Sequence, residues 1–344
     1  MAGADFLGRL GIDLPIFQAP MAGASTPAMA AAVSEAGGLG GLAVGAAGAN
    51  VAREMIAEYR ARSTRSLNVN VFAHAPARAH APADARREAA WIERLRPRFA
   101  EFKASPPERL SEIYTSFVED DAMLALLVAE RPKVVSLHFG LPDAARLRAL
   151  KDAGVLLLAT ATSLAEARLA AAAGVDALVA QGWEAGGHRG MFDPDALDDR
   201  LGVFALTRLL AAKIDLPIIA AGGIMDGAGI AAALRLGAAA AQLGTAFLAT
   251  PESAADAGFR AALFSDAAHH TVMTRAISGR PARCLANRFT ALEGGAEAPA
   301  YPVAYDLGKA LHAAGKAAGD HGFGAHWAGQ GAPDGGGGAG ADVG

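Results

Sequence analysis

Eight short apolar runs alternating with longer Ala-rich amphipathic stretches constrain this chain more than any other feature. The runs are 15–19 (PIFQA), 39–44 (LGGLAV), 67–72 (LNVNVF), 133–138 (KVVSLH), 155–159 (VLLLA), 176–180 (DALVA), 217–221 (PIIAA) and 239–243 (AAAQL). Most are apolar throughout, the pattern of parallel strands covered on both faces. The intervening stretches, such as 26–36, 51–62, 143–153, 163–173, 204–213 and 227–236, read as helices. Gly37-Gly38, Gly154, Gly174 and Gly237 stand where those helices end, a place that often needs a left-handed residue. Strict alternation implies a parallel sheet, and a count of eight favours closure into a (β/α)8 TIM barrel. An open Rossmann-like sheet is the runner-up. Its Gly-rich turn would follow the first strand, whereas the glycine pairs here come late in the chain.

The expected organisation is a barrel over 1–267 with a helical excursion at 73–117 carrying one or two helices. A C-terminal cap or second lobe follows over 268–328, then a Gly-rich tail over 329–344, expected to be flexible beyond about Gly331. With 344 residues, 52% of them hydrophobic, the chain can bury a large core. The formal net charge of −4, with Lys and Arg scattered, argues against a nucleic-acid partner. No charge-free apolar run is long enough to span a membrane. The opening MAGAD lacks a basic-then-apolar signal pattern, so a cytoplasmic location is expected. The outer helices leave a homodimer open, but no interface stripe stands out.

Several chemistries lack support. Cys284 is the only cysteine, which excludes an intrachain disulfide and disfavours a Cys-based metal site. His269 and His270 are adjacent and need not converge, and His138 and His188 have no clustered carboxylates, so no metal is expected. There is no G-x-S-x-G elbow. Asp193, Asp195, Asp198 and Asp199 read as a solvated acidic face.

In a barrel, catalytic groups gather at the carboxyl ends of the strands. The unusual residues of this chain all fall there. Gly222-Gly223 and Gly244-Thr245 follow the last two strands, where barrels often bind phosphate. An ordinary tight turn explains either pair taken singly; two pairs at these strands point to phosphate. His138 ends the fourth run and reads either as a satisfied core histidine or as a base or donor facing a ligand. His188 follows Ala185-Gly186-Gly187 and reads either as an exposed loop residue or as a group presented to a cofactor.

QAPMAG, LNVNVF, SLHFGLP, QGWEAGGHRG, AAGGIMDG and QLGTAF, in that order from about residue 15 to 250, together resemble the nitronate monooxygenase family, formerly called 2-nitropropane dioxygenases. The resemblance extends to Tyr301-Pro302 and to Trp327-Ala328-Gly329-Gln330. The SLHFG histidine with Tyr114, Tyr301 and Lys309 is similar to the class I, bacterial and fungal, branch. It implies non-covalent FMN in a TIM barrel, touched by Pro20, Met21, Asn70, Gln181 and Gly186. Gly222, Gly223, Gln242, Gly244 and Thr245 would hold its phosphate end, and Gln330 would close over it. His138 and His188 would line the substrate side. Tyr114, Tyr301 and Lys309 would receive an anionic substrate. Phe259 departs from the pattern, because it cannot hydrogen-bond.

The activity so implied is oxidation of an alkyl nitronate, propionate 3-nitronate or similar, by O2 to a carbonyl compound plus nitrite or nitrate, with detoxification as the role. A nitronate needs no base; for a neutral nitroalkane, His138 is the candidate base. The alternatives are an NAD(P)H-dependent FMN reductase of quinones or enoyl thioesters on the same barrel, and a non-catalytic barrel that binds a phosphate ligand.

Overall fold

The computed structural model describes residues 2–77, 82–292 and 297–336. Its strands, in chain order, are β1 (Ile16–Gln18), β2 (Gly40–Ala43), β3 (Leu67–Phe72), β4 (Val134–His138), β5 (Leu156–Ala161), β6 (Ala177–Gln181), β7 (Gly187–His188), β8 (Ile218–Ala221), β9 (Ala240–Leu243), β10 (Thr271–Thr274) and β11 (Ala282–Leu285). Its helices are α1 (Ala2–Leu10), α2 (Pro27–Glu35), α3 (Ala49–Arg62), α4 (Pro82–Glu101), α5 (Asp121–Glu130), α6 (Ala144–Asp152), α7 (Leu164–Ala172), α8 (Val203–Lys213), α9 (Gly227–Arg235), α10 (Ala257–Leu263) and α11 (Val303–Ala317).

Eight parallel strands pair in the order β1-β9-β8-β6-β5-β4-β3-β2. Leu39, just before β2, closes the ring against β1. It bridges Phe17, donates its N–H to the Ile16 carbonyl and accepts from the Gln18 N–H, both at 2.9 Å. The eight apolar runs therefore became the eight barrel strands. Boundaries moved by one or two residues, and one shift matters: Gln181 is the last residue of β6, not the first of the following loop.

Period-2 alternation along each strand divides the core in two. One face packs under the surrounding helices, where Leu42, Val69, Val71, Val135, Leu137, Leu157 and Leu178 join Ile56, Leu126, Leu147 and Leu206. The other face points into the barrel. Its amino end is apolar: Phe17, Val134, Leu158, Ala177, Ile219 and Ala240 pack together with Phe6 and Leu10 of α1, which plugs that end. The carboxyl end is polar, with Asn70, Ser136, Thr160, Gln181 and Gln242 lining an open cavity. Helix starts are capped as their sequences suggest. Thr26, Asp120, Asp143, Ser163, Asp226 and Asp256 each accept an N–H of the first turn.

The excursion contributes one helix, α4, which packs on α11. Trp91, Ile92, Leu95 and Phe99 share a core with Ile277, Phe289, Val303, Leu307 and Leu311. The excursion and the C-terminal lobe thus meet over the barrel mouth. The sequence reading did not name α1, α5, α10, α11 or a three-stranded antiparallel sheet, β10-β11-β7, which ties the lobe to the QGWEAGGHRG segment. The first residues of the Gly-rich tail are ordered against the lobe. Ala332–Gly336 form a 3₁₀ turn, and Ala332 is buried beside Leu248 and Ala328. Residues 337–344 lie outside the described residues.

Gly40 shows how tightly α2 lies on β2. A Cβ placed there would stand 2.0 Å from the Ala30 carbonyl oxygen, a backbone atom that cannot swing away. Gly40→Ala is expected to destabilise the protein by about 1–3 kcal/mol, the usual cost of overpacking. Denaturant unfolding checks this, and an unchanged midpoint would refute it.

Candidate active site

A cavity of about 650 Å³ opens at the carboxyl ends of the barrel strands and runs beneath the C-terminal lobe. Its two ends differ in chemistry.

At one end lie Gly222, Gly223, Gln242, Gly244 and Thr245. Gly222 and Gly223 have φ of +128° and +67°, which a side chain would oppose. Among the described residues, the N–H groups of Gly223 and Gly244 find no protein acceptor. Neither glycine is fully buried, so these N–H groups face the open cavity, where they can meet an anion. The Thr245 hydroxyl accepts from the Gly329 N–H at 3.0 Å and keeps its own proton to donate. Pro20 and Met21 form the adjoining wall, in a loop that Gln18 and Ser25 hold down. Gln18 donates to Ser25 Oγ at 2.7 Å, and Ser25 Oγ accepts the Met21 N–H at 2.8 Å. Asn70 donates to the Ser136 carbonyl (3.1 Å) and Oγ (3.0 Å), which leaves its Oδ1 as an acceptor.

Gln181 is positioned differently from expectation. Its Nε2 donates to the His188 carbonyl at 3.0 Å, and its Oε1 accepts the Gly190 N–H at 2.7 Å. The amide is committed to holding its own loop, and one Nε2 hydrogen remains for a ligand. Arg189 anchors the same loop. It is 2% exposed and makes a two-pronged ion pair with Asp198 at 2.9 and 3.0 Å. Asp198, read from the sequence as part of a solvated face, is therefore the counter-ion of a buried guanidinium. A Cβ on Gly186 would stand 2.5 Å from the Gly329 backbone nitrogen, so this glycine lets the C-terminal segment lie against the loop. The Gln330 side chain is exposed and does not line the cavity. Its N–H donates to the Glu184 carbonyl at 2.9 Å, so the closing contact comes from backbone.

At the other end, His138 and His188 meet Phe72, Tyr114, Phe139, Tyr301, Tyr305, Trp327 and Lys309. The Tyr301 hydroxyl is buried without a partner. Lys309 Nζ sits 5.0 Å from the Tyr114 ring centre and 5.3 Å from that of Tyr305, and burial lowers its pKa. Among the described residues, the one carboxylate lining the cavity is Asp256, which pairs with Lys316 at 2.9 Å. Phe259 lines the outer part of the cavity and stacks on His326, their centres 4.9 Å apart.

Hydrogen bonding separates the roles of the two site histidines. The His138 Nε2 faces the His188 carbonyl at 3.3 Å. A carbonyl only accepts, so Nε2 carries the hydrogen. Its Nδ1 then accepts from the Thr160 hydroxyl at 3.0 Å. In this arrangement both His138 nitrogens are engaged within the protein. The Ser278 hydroxyl donates to the Arg280 carbonyl at 3.2 Å, so its oxygen accepts from His188 Nε2 at 2.8 Å. His188 Nδ1 keeps the unshared pair.

Burial, reinforced by the positive charge of Arg280, lowers the pKa of His138 to about 4; its hydrogen bond to the His188 carbonyl works the other way. Burial also lowers His188 to about 3, with His138, Arg280 and His74 adding to the effect. His74, wholly buried beside Tyr301 and Phe139, is lowered to about 4 by burial and Arg280.

Ser136, Thr160, Tyr305, Ser278 and Arg280 were not singled out from the sequence, and Trp327 was named only within a motif, with no role. Ser136 and Thr160 carry a usable signal: each is a polar residue in an apolar strand, on the face that Asn70 and His138 share. The others come from loops and the distant lobe, where no periodicity marks them.

The match to known proteins covers nearly the whole chain. The family model described as nitronate monooxygenase matches residues 6–334. A protein of Paraburkholderia phytofirmans named nitronate monooxygenase is 61% identical over 92% of this chain and 87% of its own length. A Pseudomonas aeruginosa protein of the same name is 52% identical over 92% of this chain and 90% of its own. Among solved structures, nitroalkane oxidase from Streptomyces ansochromogenes superposes with a TM-score of 0.87 at 41% identity, covering 95% of this chain and 92% of that one. FabK from Thermotoga maritima superposes at 0.72 with 30% identity, covering 96% and 89%.

The buried imidazoles have a measurable consequence. Their folded pKa values lie below the ordinary 6.5, so between pH 6.5 and about 4 the unfolded chain binds protons that the folded chain refuses. Stability is therefore whole above pH 6.5 and falls as pH drops through that window. The ring resonances of His74, His138 and His188 are expected to stay in their neutral positions from pH 8 to 5. A midpoint near 6.5 for any of the three, seen by NMR, would contradict this.

Proposed function

The chain belongs to the nitronate monooxygenase family, and on that premise we propose that it oxidises alkyl nitronates with bound FMN and O2. The observation that carries this reading is a single cavity with an unpartnered N–H cradle at one end and a cationic, aromatic, histidine-bearing wall at the other.

The residues present fit FMN. A phosphate matches the N–H groups of Gly223 and Gly244 and the Thr245 hydroxyl. The Glu184 side chain packs on Gly223, but its carboxylate is engaged by the Val203 N–H at the start of α8 and does not line the cavity. Pro20, Met21 and Gly186 offer flat, small surfaces to a ring system. Asn70 Oδ1, Gln242 and the remaining Gln181 hydrogen can meet its polar edge. A cavity of about 650 Å³ lies within the range of cofactor sites. When bound, FMN supplies the redox chemistry, taking electrons from the nitronate and passing them to O2.

The protein's own work is to orient and to stabilise charge. Lys309 and the unpartnered Tyr301 hydroxyl can receive the anionic nitronate. The rings of Tyr114, Tyr305, Phe139 and Trp327 exclude water around it. Propionate 3-nitronate suits this wall, because a second negative group can reach Lys309. With a neutral nitroalkane, His188 Nδ1 takes the α-proton. It is neutral, carries the unshared pair, and is held in that tautomer by Ser278.

Holoprotein mixed anaerobically with propionate 3-nitronate is expected to lose its oxidised-flavin absorbance within a turnover, and admission of O2 restores it. Rapid bleaching by NADH or NADPH alone would favour the reductase reading instead. His188→Asn is expected to cut neutral-nitroalkane kcat/KM by roughly 10²–10⁴-fold, the usual weight of a general base. Nitronate turnover should fall by much less. Equal losses on both substrates would remove the base from His188. His138→Asn should affect the two substrates alike.

A further inference from the structure

Phe139 has φ of +75°, a conformation that costs a bulky residue free energy and persists only where the surroundings enforce it. The twist places its ring as a partition. On the cavity side stand His138 at 4.4 Å, Tyr301 at 5.4 Å and His188 at 5.6 Å between ring centres. On the ring also lies the Arg280 guanidinium, its carbon 4.3 Å from the Phe139 centre. Arg280 is 3% exposed. Its Nη2 donates to the Met191 carbonyl and, at 3.5 Å, to that of Phe192, while its Nε has no partner. Among the described residues no carboxylate forms an ion pair with it. Glu166 and Asp193 act on it only at longer range, opposed by Arg275.

A buried cation without a counter-ion is expensive, and truncating it would relieve that cost unless an anion completes it in use. Two backbone carbonyls pin this one in place, whereas Lys309 sits on a flexible stem. We propose that Arg280 is the fixed cation of the cavity: a positioning residue that, through the Phe139 ring, draws an anionic nitronate to the histidine end in preference to a neutral nitroalkane. The ring keeps the substrate from pairing directly with the guanidinium, so the attraction is exerted without trapping the ligand. Arg280 shares a turn with Ser278, so one segment of the C-terminal lobe sets both the field around His188 and its tautomer.

This inference rests on the nitronate reading above, and its test separates the two. In FMN-loaded protein, Arg280→Met should raise the nitronate KM by about tenfold or more, the scale of one fixed charge at partial burial. The KM for the corresponding nitroalkane should change by less than about threefold. Arg280→Lys, which keeps the charge, should retain most of the preference. Arg280→Gln, which can still donate to the two carbonyls, should behave as the Met variant and replaces it if that protein does not fold. Calorimetric titration with nitrate, a planar anion that needs no turnover, should show the same ranking in affinity. Equal KM changes for both substrates, nitrate binding that ignores the substitutions, or no nitrate binding by the parent would overturn the proposal. A parent protein that turns over no nitronate would instead overturn the function, and the nitrate ranking would still judge Arg280.

Discussion

Closure of the parallel sheet is the constraint on which the rest of this molecule depends. Two hydrogen bonds between Leu39 and β1 turn an eight-stranded ribbon into a ring. Once closed, every second side chain of every strand has nowhere to go but inward. The chain meets that confinement by changing polarity along the barrel axis. Val134, Leu158, Ile219 and Ala240 fill the amino end over the α1 plug. Asn70, Ser136, Thr160, Gln181 and Gln242 then occupy the carboxyl end of the same inward face. An apolar floor and a polar rim are thus two ends of one alternation.

The rim alone does not make the site. The segment after β6 has little bulk of its own and would collapse or wander without anchors. Arg189 with Asp198, the Gln181 amide, and the pairing of β7 with β11 supply them. The last of these joins the barrel to the C-terminal lobe. The lobe brings Ser278, Arg280, Tyr301, Tyr305 and Trp327 to residues far earlier in the chain; Ser278 meets His188 across 90 positions. Catalytic geometry here is a product of two cores, the barrel's and the one that α4 shares with α11.

The electrostatics follow from the same burial. Three imidazoles are held neutral by desolvation beside a guanidinium that cannot leave. A neutral histidine with a bare nitrogen and a nearby fixed positive charge is suited to anions and to their conjugate carbon acids. Which histidine carries the bare nitrogen is decided by the partners of its other nitrogen. His138 and His188 look equivalent as letters, yet Thr160 and Ser278 give them different tautomers.

By itself the sequence determined the barrel, because strand burial on both faces leaves long apolar runs and each βα unit repeats locally. It also marked Gly222-Gly223 and Gly244-Thr245, which stand at fixed places after the last two strands. His138, His188, Tyr114, Tyr301 and Lys309 were legible through the motifs they share with a known family. Only the tertiary structure decided that Gln181 serves its own loop, that Gln330 closes with its backbone, that His188 rather than His138 has the free nitrogen, and that Arg280 lies behind Phe139. The reason is physical. Periodicity and turn chemistry are local and survive in one dimension. A hydrogen bond between residues 188 and 278, or a guanidinium stacked on a ring 141 positions away, exists only after the chain has closed on itself.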